Sequence, residues 1–212
     1  MAVYDLQEQE QIDEIKAWWK QYRGLVLLVV AACAVTVSGY QGWQYYKNKQ
    51  GTEAGELYTQ LQAAAAGNDA RKVQDIAAVI ADKYPRTGYA AFSALAAAKA
   101  AFDGGDPATA RARLQWVVDN ARDDPTRDIA RLRLAAVLLD LKQYDDAVKL
   151  VDAQHVEPFS ALFADLKGDV LVAQGKLPEA RAAYQLALDK SEAKSNYRTL
   201  IQIKLDALGS AK

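Results

Sequence analysis

Few residues in this chain could carry chemistry. His155 is the only histidine and Cys33 the only cysteine, whereas a metal site needs a cluster of such ligands. His155 falls between a helix ending near Ala153 and one starting near Pro158, and it is expected as a surface loop residue. Asp123-Asp124 and Asp145-Asp146 look like paired carboxylates for acid–base work. Each pair precedes or opens a helix, however, where acids accept hydrogen bonds from free N–H groups. Gly104-Gly105-Asp106 has no following lysine to reach a phosphate, which leaves it as a turn between helices. Asn68-Asp69 is turn chemistry as well. These patterns point to no catalytic residue, no metal and no cofactor.

What remains is surface chemistry, and composition narrows it. The net charge is −1 and the pI about 5.9, so there is no electrostatic case for nucleic acid. One cysteine excludes an internal disulfide framework. Apolar residues make up 51%, yet mean hydropathy is −0.19, so much of that apolar content must lie on amphipathic faces. Glycine and proline are sparse and helix formers dominate, which predicts an all-α protein.

Residues 24–43, "GLVLLVVAACAVTVSGYQGW", carry no charge. At about 1.5 Å per residue, some 20 residues cross a hydrocarbon core of about 30 Å. Trp18, Trp19 and Tyr22 precede the run, and Trp43, Tyr45 and Tyr46 follow it. Amphipathic rings at both ends form the aromatic belt of a membrane span, so these six are assigned to the membrane interface. The expected organisation is an amphipathic N-terminal segment (1–23), a transmembrane anchor in the lipid bilayer (24–46) and a repeat domain (47–212).

Lys16, Lys20 and Arg23 lie before the span and Lys47 and Lys49 after it, a small bias that places the N-terminus inside. Two other uses of the same stretch stay open. Val30-Ala31-Ala32-Cys33 fits a loose lipobox, which would make the chain a repeat-domain lipoprotein lipidated at Cys33 and acting as an envelope scaffold. Against this, Asp5, Glu8, Glu10, Asp13 and Glu14 are foreign to a basic signal n-region. Alternatively the N-terminal helix, with Leu6, Ile12, Ile15, Trp18, Trp19 and Tyr22 at helical steps, holds a cytoplasmic regulator.

Beyond the span the chain repeats. "AFDGGDPATA", "LLDLKQYDDA" and "LVAQGKLPEA" align on Ala110, Ala147 and Ala180, 37 and 33 residues apart. Twelve places before each stands a small residue, Ala98, Ala135 or Gly168. Four places after stand Leu114, Val151 and Tyr184. Small residues let two helices approach, and the larger one fills the space between them. Upstream, residues 53–85 read as another hairpin turning at Gly67-Asn68-Asp69 and ending at Tyr84-Pro85. Residues 196–209 read as a capping helix. The fold expected from the repeats is an α-solenoid of about four hairpins with a C-terminal cap.

In that register the inner face of the first helices presents Phe92, Leu95, Lys99 and Phe102, then Ile129, Leu132 and Leu139, then Leu162, Asp165 and Val172. This candidate groove is more apolar than charged and suits an extended or partly folded chain, or a partner's helix.

The spacing small–small–aromatic–small resembles the tetratricopeptide repeat, best in the unit from Ala161. Over its whole length the chain, with "EQEQIDEIKAWWK" before a single span and a compact repeat domain, resembles the ancillary SecYEG translocon subunit family of Gram-negative bacteria. That resemblance implies an inner-membrane protein with a cytoplasmic N-terminus and a periplasmic repeat domain. It further implies contact with SecYEG and with a membrane-anchored periplasmic chaperone of the peptidyl-prolyl isomerase type. Help for emerging, unfolded secretory chains is implied too, with no catalytic residues to carry over.

Overall fold

The computed structural model describes residues 2–209, with side chains from residue 11 onward. Leu6, Asp5, Glu8 and Glu10 therefore lie outside the described side chains. The described residues form α-helices and one 3-10 turn, without a strand. The backbone groups into two units, residues 1–50 and 51–212.

Helix α1 is Ala2–Ala66, and its residues 51–66 belong to the second unit. The polar stretch at residues 44–56 does not end it, because it contains neither proline nor a capping sequence. In the first unit the apolar window has mean hydropathy 1.8 and none of it is buried. A soluble core helix of that composition would be covered. An exposed one of this length needs lipid.

The second unit is a stack of hairpins. The end of α1 packs on α2 (Ala70–Lys83) through Leu61, Ala64, Val73, Ala77 and Ile80, while α3 (Gly88–Asp103) pairs with α4 (Pro107–Asn120), and α5 (Asp124–Asp140) with α6 (Tyr144–Val151). A 3-10 turn at Glu157–Phe159 leads into α7 (Ser160–Ala173), which pairs with α8 (Leu177–Lys190), and α9 (Asn196–Ala207) closes the stack.

All four hairpins turn the same way. The residue before each second helix's N-cap is left-handed: Asn68 (φ 54°), Gly105 (80°), Lys142 (59°) and Gly175 (75°). In each, the N-cap N–H donates five residues back, from Asp69 to the Ala64 carbonyl, Asp106 to Ala101, Gln143 to Leu138 and Lys176 to Leu171, at 2.8–2.9 Å. This is the six-to-one bond of a Schellman ending, which satisfies a carbonyl that the helix leaves free.

Four residues beyond each N-cap, Ala110, Ala147 and Ala180 are completely buried. Opposite them Ala98, Ala135 and Gly168 are buried too. The first hairpin follows the same period with the sizes exchanged. Leu61 and Val73 occupy the small places, Ala77 takes the large one, and Ile80 sits three residues on, all buried.

Candidate functional site

The first helices leave apolar side chains partly or wholly in solvent. Phe92 and Phe102 on α3 and Leu162 and Val172 on α7 are exposed, as is Lys99, which forms an ion pair with Asp103 one turn on. Ile129, Leu132 and Leu139 on α5 are half-buried, each with one side on the central core. At the first hairpin the Tyr58 ring stands 5.5 Å from that of Tyr89 and 6.3 Å from that of Phe92, an aromatic ledge at one end of the face.

Two of the expected groove residues lie elsewhere. Leu95 is buried in the cluster that joins α3 to α4 and α5, because the following hairpin covers it. Asp165 is 5% exposed and is held by α9. Both of its oxygens accept from Lys204 Nζ, at 3.0 and 2.8 Å, and Oδ2 also accepts from the Tyr197 hydroxyl at 2.7 Å. Lys204 donates as well to Asp169 Oδ2 at 2.8 Å, and the Tyr184 hydroxyl donates to Asp169 Oδ1 at 2.7 Å.

Two carboxylates, one ammonium and two phenols thus resemble an acid–base centre in type, but their hydrogen bonds are spent on each other. Burial, and then the neighbouring carboxylates, push the Tyr184 and Tyr197 hydroxyls far above their ordinary value. Burial alone would lower Lys204, but its bonds to Asp165 and Asp169 outweigh that and raise it. The cluster is a clamp that docks the capping helix on α7 and α8.

One position of the helical period is absent from the expected set. Ala136 and Asp169 occupy the same place in their helices as Lys99, seven residues beyond Ile129 and Leu162. Carrying that period through would have found both. Ala136 lines a cleft of about 320 Å³ between α3 and α5, with Ala98, Phe102, Leu114 and Val137. Lys99, Arg133 and Asp140 stand at its edge. A neighbouring cleft of about 440 Å³ runs from Lys99 and Asp103 towards Val73 and Ala65.

His155 is more than a surface loop residue. Its ring stacks on buried Phe163 at 4.2 Å, nearly parallel, and Nδ1 lies 3.0 Å from the Ala153 carbonyl. It pins the connection between α6 and α7. Asp123 is the N-cap of α5, accepting from the Thr126 N–H at 2.8 Å, and Asp106 caps α4 the same way. Asp145 and Asp146 lie in the first turn of α6.

Trp18, Trp19, Tyr22, Trp43, Tyr45 and Tyr46 are all exposed on α1. Trp19 and Trp43 are 24 residues apart, about 36 Å on a straight helix, slightly more than a hydrocarbon core. Cys33 is exposed between them, and the helix continues past it without interruption.

The tetratricopeptide repeat-like domain family matches residues 16–210. A Neisseria gonorrhoeae protein named "Ancillary SecYEG translocon subunit" is 34% identical, covering 96% of this chain and 98% of its own. Proteins of the same name from Haemophilus influenzae (30% identical, 87% of this chain and 90% of theirs) and Escherichia coli (28%, 98% and 99%) are similar as well. No solved structure matches the chain.

Proposed function

The chain belongs to the tetratricopeptide repeat-like family of ancillary SecYEG translocon subunits, and from that premise we propose that it is a non-enzymatic accessory protein of the translocon. Residues 24–46 anchor it in the bacterial inner membrane with residues 1–23 in the cytoplasm, and the repeat domain, residues 47–212, works in the periplasm. The groove there takes a polypeptide, either a segment of a membrane-anchored periplasmic chaperone of the peptidyl-prolyl isomerase type or an emerging secretory chain.

The observation that carries this reading is similarity over nearly the whole length, anchor included, to proteins named for that role. The groove supports it chemically. Phe92, Phe102, Leu162 and Val172 leave apolar surface in water on one face of the stack, and such faces mark places where another chain is bound.

Extraction from native membranes in mild detergent, with the co-purifying proteins and the N-terminal peptide identified in one run, tests the proposal. Translocon subunits and a periplasmic chaperone beside an intact N-terminus are expected. Outer-membrane partners with a chain beginning at lipidated Cys33 would overturn it.

A further inference from the structure

The cleft between α3 and α5 has an electrical direction. Its floor is apolar: Ala98, Phe102, Leu114, Ala136 and Val137. Beside Lys99 of α3, two charges of opposite sign stand at its edge on α5, Arg133 and Asp140, both exposed. Seven residues, or about 10 Å along the axis, separate them. Among the described residues neither makes an ion pair or a side-chain hydrogen bond. Their neighbours are spoken for. Lys99 pairs with Asp103, and Arg131 binds Asp128 and the Gln154 carbonyl.

Asp140 is the last residue of α5, so its carboxylate adds to the partial negative charge of that helix's carbonyl end. The α3 carbonyl end lies on the same side, since first helices of successive hairpins run parallel. The cleft is therefore negative at the Asp140 end and positive at the Arg133 end.

Its walls also choose the conformation of what enters. Both are helices whose backbone groups are bonded internally, so an extended chain would find no edge to pair with. A helix brings its own hydrogen bonds and needs only apolar contact along one face.

We infer that the occupant of this cleft is an amphipathic helix of a partner polypeptide, lying antiparallel to α5. Its positively charged N-terminal end sits at Asp140 and its negatively charged C-terminal end at Arg133. Macrodipole and side-chain charges act in the same sense, since a helix is positive at its first turn and negative at its last. This rests on the proposed role of the groove in taking a polypeptide, and adds which conformation is taken and which way round.

Three labelled synthetic peptides of about 11 residues, whose first and last turns lie about 10 Å apart as a helix, test it against the full chain in nanodiscs, with empty nanodiscs subtracted. All carry leucines at helical spacing. The first has lysines in its first turn and glutamates in its last, the second exchanges those charges, and the third repeats the first with two central prolines. By fluorescence anisotropy the first should bind at least tenfold more tightly than the third. A photoreactive group on the first peptide's first residue should link to α5 beside Asp140, whereas one on the first residue of the second, free to lie the other way round, should link beside Arg133. Arg133→Glu combined with Asp140→Lys should exchange the two linking sites, and Phe102→Asp should weaken the first.

Equal binding of all three, lost in Phe102→Asp, would overturn the helix and its polarity while leaving the groove's general role intact. Binding indifferent to Phe102→Asp would count against both. Absence of binding by the first peptide would overturn the inference, and the co-purification above would then decide the broader role by itself.

Discussion

Gly168 on α7 faces the ring of Tyr184 on α8 with no room for a methyl group between them. A Cβ at Gly168 would stand 2.8 Å from Cζ and closer still to Cε1 and Cδ1. The ring cannot swing away freely, because its hydroxyl is bonded to Asp169 at 2.7 Å. Gly168→Ala should therefore destabilise the repeat domain by about 1–3 kcal/mol, the usual cost of overpacking. In Tyr184→Leu, which leaves space, the same alanine should cost much less. Denaturant titration of the four proteins measures the coupling, and strictly additive effects would sink this account of the contact.

Lys204 is the only cation described between Asp165 and Asp169. Replacing it with methionine leaves two carboxylates facing each other, one of them buried. The loss should be about 3 kcal/mol, the low end for breaking a buried pair, since a quarter of the lysine side chain remains solvated. Hydrogen exchange should show α9 opening first. Unchanged protection of α9 would mean that Ile201 and Leu205 dock it without the clamp.

Lys142 holds a left-handed conformation (φ 59°) at the turn where the second and fourth hairpins use glycine. Relief of about 1–2 kcal/mol of backbone strain, less about 0.5–1 kcal/mol of added unfolded-state freedom, leaves Lys142→Gly more stable by up to about 1.5 kcal/mol. A lower melting temperature for this variant would contradict it.

Acid should loosen α5. The Thr126 backbone N–H, and then its side chain, hold the Asp123 carboxyl below the ordinary carboxylate range. A pKa lowered by folding gives stability that is complete above the unfolded value, about 3.9, and is lost as pH falls through the folded one. Between pH 5 and 3 the wild-type melting temperature should consequently fall more steeply than that of Asp123→Asn. Parallel curves would show that the cap charge adds nothing.

Much of the fold was legible because repetition magnifies weak local signals. Ala110, Ala147 and Ala180 marked the second helices, and Gly67-Asn68-Asp69 marked a turn that is left-handed at Asn68. The first repeat was hidden by exchanged sizes: Leu61 and Val73 stand where small residues were sought, so the pair volume is kept while the signature is lost. The groove was half legible. A helical period says which residues share a face but not how far the neighbouring helices reach over that face. For this reason Leu95 and Asp165 were misplaced, the latter by a partner, Lys204, 39 residues away. Arg133 and Asp140 lie off the apolar period, each one residue beyond Leu132 or Leu139, and only the cleft brings them to its edge.

A photoreactive residue placed at Phe102 in the full chain, in its native membrane, tests the proposed role of the groove most directly. Leu186, exposed on the second helix of the last hairpin, serves as the comparison position. Irradiation during active secretion should link position 102 to a chain in transit or to a translocon-associated periplasmic chaperone, each identified by mass spectrometry, and should leave position 186 unlinked. Equal yields from the two positions, or adducts from 186 alone, would contradict the groove as the working surface of this protein.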